Sequence, residues 1–343
     1  MRAADMGTSA AVSTCRIARV LAAAGTRLFP GLMTTLYSAI MSIWTGRSDG
    51  PRWHHIVTDS GDSTVGIVGF ASDEGVRRNH GRPGASEGPT ALRQALAPLA
   101  VHGQLSVVDH GDVTVGGTDL EQGHQELAAA VAASVSSHPV TFVLGGGHET
   151  AYGSHCGLRH GLNDDAARDS RTNESSRSPR VGVINLDAHF DLRRAEEATS
   201  GTPFLQICEQ FDCGPDYLVV GVSRPNNTQE LFDEAGRLGA TYVEDWQIDQ
   251  ADSVVANFLE SHDVIHLSID LDVLPAGVAP GVSAPAGLGV DLATIRALAC
   301  QVAASGKLRL VDVVELNPGF DVDGRTAKVA ARLLWDIAAI VAG

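Results

Sequence analysis

Val181-Gly182-Val183-Ile184-Asn185-Leu186-Asp187-Ala188-His189-Phe190-Asp191 is an aliphatic run that closes on two carboxylates and one imidazole. Val181 to Leu186 carries aliphatic residues on both alternations, which is what a strand covered by helices on both faces requires. At the end of such a strand, residues i, i+2 and i+4 point to the same side, so Asp187, His189 and Asp191 share one small volume. A buried strand end has no structural use for three polar groups of that kind.

Five further runs have the same character: Val65 to Phe70, Val140 to Leu144, Tyr217 to Val222, Val264 to Ile269 and Leu310 to Glu315. Helical periodicity lies between them, for example over Leu120 to Ser134 and Asp291 to Ser305. That alternation is the signature of βαβ units and predicts an α/β fold, a three-layer αβα sandwich with a mainly parallel central sheet. Neither an internal repeat nor a dividing linker is evident, so residues 41–343 read as a single domain. From Gly161 to Arg180 the composition turns to Asn, Asp, Ser, Arg and Gly without periodicity, and residues 161–180 are expected to be a polar surface insertion. Residues 1–40 differ from the rest in holding Arg2, Arg16, Arg19 and Arg27 against Asp5 alone. They are expected to be an extension outside the functional chain, with Met41 as its beginning. The charge-free run from Leu28 to Trp44 is broken by Pro30-Gly31 and carries Thr34, Thr35, Ser38 and Ser42, which is too short and polar for a membrane span.

The chain has 343 residues, with 41 Asp plus Glu against 25 Lys plus Arg and a formal charge of −16. So acidic a chain offers no footing on phosphate backbones or anionic lipid, so the expected partner is a small molecule, with neither nucleic acid nor membrane. Its 5 cysteines form no CxxC pair, as expected of a reduced, cytoplasmic compartment.

The informative residues fall where the apolar runs end. One closes with Gly145-Gly146-Gly147-His148-Glu149, another with Asp187 to Asp191, a third with Asp270-Leu271-Asp272. Ligands bind at the carboxyl ends of parallel strands, so the three clusters converge on one crevice. Carboxylates so close together cannot all stay ionised without a counter-charge, which a divalent metal supplies. Asp187, Asp191, Asp270, Asp272, His148 and His189, without cysteine, form a hard, oxygen-rich set suited to manganese or magnesium. Six side chains exceed what one ion with open water positions uses; two ions bridged by shared aspartates fit the number. An Asp-x-Asp pair alone is an ordinary turn, and a histidine after three glycines an ordinary helix start. The inference rests on the three clusters together. The remaining histidines show no ligand spacing and read as surface or core groups, while Asn227 and Glu230 read as a helix capping box.

In these motifs the chain resembles the arginase–agmatinase group of ureohydrolases. The residues that carry the likeness are Gly145 to His148, Asp187 to Asp191, Ser268 to Asp272 with Pro275, Pro280 and Pro285 after it, and Glu315-Leu316-Asn317-Pro318. Further likeness lies in Asp73-Glu74-Gly75-Val76-Arg77-Arg78-Asn79, in Phe190-Asp191-Leu192-Arg193, in Ser200-Gly201-Thr202-Pro203-Phe204 and in Trp44-Thr45-Gly46-Arg47. These point to the branch of the group that hydrolyses N-formimidoyl-L-glutamate to L-glutamate and formamide in histidine breakdown.

The resemblance implies two Mn2+ ions per subunit, one held by His148, Asp187, Asp191 and Asp270, the other by Asp187, His189, Asp270 and Asp272. It implies a nucleophilic hydroxide, Asp191 as proton shuttle and Glu315 as partner of the substrate's cationic amidinium. Arg193 stands at the position that helps bind the substrate carboxylate in arginases. Arg77, Arg78, Arg82 and Arg224 follow strand ends and are further candidates for an anionic substrate. Arginases carry a relay histidine where this chain has Ser200, a departure that speaks against arginase activity. A homo-oligomer is also implied. Two alternatives stay open at this point: a hydrolase of a guanidino compound, and a non-catalytic metal-binding relative.

Overall fold

A computed structural model describes residues 40–169 and 178–343. Its centre is a sheet of nine strands: β1 (Val57–Thr58), β2 (Val65–Ala71), β3 (Val107–Thr114), β4 (Val140–Leu144), β5 (Val181–Leu186), β6 (Tyr217–Val222), β7 (Thr241–Glu244), β8 (Val264–Asp270) and β9 (Leu308–Val314). Every pairing between them is parallel, in the order β1-β3-β2-β4-β9-β8-β5-β6-β7. The helices are α1 (Trp53–Ile56), α2 (Glu74–Arg78), α3 (Gly88–Leu96), α4 (Leu120–Val135), α5 (Thr150–Asp169), α6 (Pro203–Phe211), α7 (Gln229–Leu238), α8 (Ala251–Glu260), α9 (Leu292–Ala304) and α10 (Arg325–Ala342).

Strand period decides the layers. Ile67, Phe142, Ile184, Leu186, Leu267 and Val313 face one side and pack on Leu92 of α3, Phe258 of α8, Leu298 of α9 and Leu334 of α10. The alternate residues Val68, Phe70, Val143 and Leu310 pack on Leu127 and Val131 of α4 and Leu158 of α5. Val183 and Val219 meet Phe204 of α6 and Ala235 of α7 on that same second face. Runs apolar on both alternations therefore bury both faces, as the sequence required.

Six strands and the helices over 120–135 and 292–304 lie where they were expected. β1, β3 and β7 were not. β3 reads as polar because of Asp109, His110 and Asp112, and the structure supplies the reason. Arg93 of α3, fully buried, donates from Nε and Nη2 to Asp109 at 2.7 and 2.9 Å and from Nη1 to Asp112 at 2.6 Å. Trp44 adds a third bond to Asp109 at 2.8 Å, which fastens the first described segment to the sheet. β7 is a short edge strand, exposed at Thr241 and Tyr242.

The expected insertion at 161–180 is corrected in part. Gly161 to Asp169 continue α5 as helix, while residues 170–177 lie outside the described residues, as do residues 1–39 of the expected extension. Gly153, Gly157 and Gly161 recur every four residues on one face of α5 and lie against Leu127, Val131 and Val135 of α4. A Cβ at Gly157 would come within 2.7 Å of the Ala128 carbonyl oxygen, so this glycine row sets a close helix–helix contact. Composition that looks like a loop is here a packing face.

Candidate active site

The chain leaves β4 for β5 across a gap that β9 and β8 fill later, so the carboxyl ends of β4, β9, β8 and β5 stand side by side. A crevice forms at such a switch in strand order. β4 delivers His148, β9 Glu315, β8 Asp270 and Asp272, and β5 Asp187, His189 and Asp191.

The geometry is close. Nδ1 of His148 lies 3.2 Å from Asp187, 2.9 Å from Asp191 and 3.0 Å from Asp270. Nδ1 of His189 lies 3.5 Å from Asp187 and 3.1 Å from Asp272. Two overlapping ligand groups result: His148, Asp187, Asp191 and Asp270, and Asp187, His189 and Asp272. Asp187 belongs to both, as expected of a bridging residue. Asp270 joins only the first group by distance, and its other oxygen accepts the Asp272 N–H at 2.8 Å. His148, Asp187, Asp270 and Asp272 are buried, while Asp191 and His189 keep 12% and 20% of their side chains open, so the site faces solvent on their side.

Charge dictates what fits here. Burial and the neighbouring carboxylates Asp272 and Asp187 push the Asp270 carboxyl well up, and burial and Asp187 raise Asp191. Burial alone would lower both imidazoles, yet the surrounding aspartates hold His148 and His189 well above the ordinary value. Four carboxylates in so small a volume call for positive charge, and a divalent cation with oxygen and imidazole ligands meets that call. One oxygen each of Asp272, Glu149 and Glu315 is buried with no hydrogen-bond partner among the described residues. Oxygen-rich and free of cysteine, the donor set fits Mn2+.

Local backbone holds the ligands in place. Gly146 lets the end of β4 lie on the end of β2, since a Cβ there would be 1.7 Å from the Ser72 carbonyl oxygen. Asp191 (φ 48°) and Glu315 (φ 68°) adopt left-handed backbone that side chains disfavour, a strain that collects at functional sites. Asp187 is fixed by the amide of Asn185 at 2.9 Å and by the His189 N–H at 2.6 Å. Asn227 is not the cap of α7, whose N-cap is Thr228. Its side chain instead accepts the Phe190 N–H at 3.0 Å and donates to the Ala188 and Ser223 carbonyls at 2.9 Å each, bracing the Asp187–Asp191 loop.

Glu149, absent from the expected site, accepts from the Ser72 hydroxyl and the Gly75 N–H at 3.0 Å each and so ties the α2 loop to His148. Burial pushes its carboxyl up to about 7. Glu315 accepts the His148 N–H at 2.8 Å, and burial and the nearby Glu149 raise its carboxyl to about 8.

The five arginines part company. Arg78 donates to Glu121 at 2.7 Å, to Glu74 at 3.2 Å and to the Thr118 and Ala198 carbonyls at 2.7 and 3.1 Å. Arg77 pairs with Glu74 and Asp73, and Arg224 makes a bidentate pair with Glu244 while lying over the Phe232 ring. Arg82 is spent on the Ser283 and Val282 carbonyls and stacks 4.0 Å over Phe320. Arg193 is exposed and has no carboxylate partner among the described residues; its Nη1 donates to the Asn79 amide oxygen at 3.2 Å. A Cβ on Gly201 would fall 2.8 Å from Arg193 Cδ, so the Ser200-Gly201 turn also shapes this side chain's path.

The sequence model of the Arginase family matches residues 63–339. The chain belongs to the arginase family. Among relatives in that family, formimidoylglutamase of Chromobacterium violaceum is 48% identical over 316 residues, covering 87% of this chain and 97% of the relative. Formimidoylglutamase of Nocardia farcinica is 47% identical over 307 residues, covering 86% and 95%. Among solved structures, Trypanosoma cruzi formiminoglutamase crystallised with Mn2+ superposes with a TM-score of 0.75 at 25% identity, covering 86% of this chain and 99% of that one. The family match thus spans eight of the nine strands, β2 to β9.

Proposed function

We propose that this arginase-family chain is a manganese-dependent hydrolase that converts N-formimidoyl-L-glutamate and water to L-glutamate and formamide, a step of histidine degradation. The observation that carries the reading is the shared-aspartate double cluster of His148, Asp187, Asp191, Asp270, His189 and Asp272. Arg193, exposed and held only by the Asn79 amide oxygen, is the candidate for the substrate carboxylate. Identity of 48% to a formimidoylglutamase over nearly its full length supports the substrate.

His148, Asp187, Asp191 and Asp270 would hold one Mn2+, and Asp187, His189 and Asp272 a second. When bound, the metal supplies a water acidic enough to be a nucleophile near neutral pH and polarises the amidine. The chain's own residues do the rest. Arg193 pairs with a substrate carboxylate and sets the formimidoyl group over the cluster. Glu315, with one oxygen tied to the His148 N–H and the other without a partner among the described residues, faces the positive amidinium. Asp191 takes the proton shed by the attacking water and returns it to the glutamate nitrogen as the C–N bond breaks. The hydroxyl proton left on the former amidine carbon's oxygen then passes to the freed amine, so the amine leaves as an ammonium and formamide remains.

The substrate is a small anion, and the protein works in the cytoplasm as a homo-oligomer. Cys156, Cys208, Cys213 and Cys300 are free thiols, in keeping with a reducing compartment. No helix among the described residues is long and apolar enough to cross a membrane.

Removing metal with a chelator tests the reading. Formamide release is expected to disappear and to return on adding Mn2+. Undiminished turnover by metal-free protein would contradict the assignment.

A further inference from the structure

Ser268 on β8 and Asp312 on β9 are register partners in the parallel ladder, and both are fully buried. Neither belongs to the ligand clusters. Asp312 nevertheless places a carboxylate in the middle of the sheet, where an unsatisfied charge is costly. Its surroundings form one chain of polar contacts that ends on a metal-site histidine.

The direction of that chain follows from counting protons. The Ser268 hydroxyl donates to one oxygen of Asp312. A hydroxyl has a single proton, so towards His148 Nε2, 3.0 Å away, Ser268 Oγ can only accept. His148 Nε2 therefore carries a proton. The second oxygen of Asp312 is 2.6 Å from Nε2 of His266, whose Nδ1 is 3.4 Å from Nδ1 of His155. All of these side chains are buried, and an ionised carboxylate accepts and never donates. Asp312 thus fixes the polarity of the whole chain.

We propose that Asp312 is a positioning residue for the metal site, acting through Ser268 to hold the His148 proton on Nε2 and so reserve Nδ1 for a divalent cation. The proposal rests on the reading of the cluster as a metal site. Nδ1 is the nitrogen that faces Asp187, Asp191 and Asp270, and a histidine binds metal only through a nitrogen free of its proton. Metal-ligating histidines commonly donate their other N–H to an acceptor that fixes the ring and raises its basicity. Here the acceptor is a serine backed by a carboxylate. An amide at 312 could donate to Ser268, let the serine proton turn to His148 Nε2, and leave the imidazole proton on Nδ1.

The test measures Mn2+ affinity on metal-free protein by competition with a fluorescent chelator, alongside thermal melting. Ser268→Ala and Asp312→Asn are each expected to weaken Mn2+ binding about 10–100-fold. The double variant is expected to be no weaker than the weaker single variant, because both cut one chain. Ser268→Thr, which keeps a hydroxyl, is expected to retain the parent affinity. Ser268→Ala removes one buried oxygen, so it reports on the proposal even if Asp312→Asn does not fold. Parent-like Mn2+ affinity in folded Ser268→Ala overturns the proposal, and so do effects that add fully in the double variant. A parent protein that binds no Mn2+ overturns the metal reading itself, which the parent measurement alone identifies.

Discussion

Glu315 accepts a hydrogen bond from the His148 N–H at 2.8 Å and returns one from its own N–H to the Gly146 carbonyl at 2.8 Å. The ends of β4 and β9 are clasped by this exchange, and the clasp leaves one Glu315 oxygen buried and without a partner among the described residues. A carboxylate in that state is held for a cation, and the amidinium of the substrate is the cation at hand. Glu315→Gln keeps the clasp and removes the charge. Its kcat is expected to fall on the order of 100-fold or more, with a melting temperature at or above the parent's, since a carboxyl that burial raises to about 8 is costly to ionise. Steady-state kinetics and thermal melting read both; a large loss of melting temperature would show the charge to be structural.

Arg193 and Arg78 make opposite predictions. Arg193→Ala is expected to raise KM for formimidoyl-glutamate about 10–100-fold, the worth of a charge-assisted hydrogen bond, and to leave stability nearly unchanged. Arg78→Ala breaks contacts with Glu74 and with the Thr118 and Ala198 carbonyls that tie three segments together. It is expected to lower the melting temperature with KM close to the parent's. An equal rise of KM for an uncharged amidine in Arg193→Ala would count against a carboxylate role.

Gly146 is irreplaceable for a steric reason. An alanine Cβ would lie 1.7 Å from the Ser72 carbonyl oxygen, a backbone contact that only a shift of β2 against β4 relieves. Gly146→Ala is expected to cost more than about 3 kcal/mol in chemical denaturation, whereas Gly236→Ala, with open space around it, is expected to be neutral or slightly stabilising.

How much could be read beforehand depended on sequence distance. The ligands stand in three short motifs, each at the end of an apolar run, so chain order alone put them at one crevice. Asp312, Ser268 and Asn227 act through partners far away in sequence, so what each one touches is not legible from its neighbours in the chain. Asp312 and Asn185 did leave a trace, as polar residues in otherwise apolar strands. β3 was obscured because its aspartates answer Arg93 from another helix, and the end of α5 because its glycines serve helix packing.

Acid should unfold the protein through its buried histidines. Burial lowers His124 to about 4 and holds His155 well below its ordinary value. The unfolded chain then binds protons that the folded chain does not, so stability is full above the unfolded pKa of about 6.5 and falls as pH drops towards the folded value. At pH 5 His124 alone is expected to account for about 2 kcal/mol of that loss. Denaturation curves at several pH values check this, with His124→Gln expected to flatten the slope between pH 4 and 6.5.

Substrate preference decides whether this site hydrolyses formimidoyl-glutamate or a guanidino compound. The Mn2+-loaded protein is offered formimidoyl-glutamate, agmatine, guanidinobutyrate and arginine, and kcat/KM is taken from release of formamide or urea. Formimidoyl-glutamate is expected to exceed each guanidino compound by at least about 100-fold, the discrimination a site built to pair with a substrate's charged group can reach. Release of urea from a guanidino compound, with no turnover of formimidoyl-glutamate, would contradict the claim.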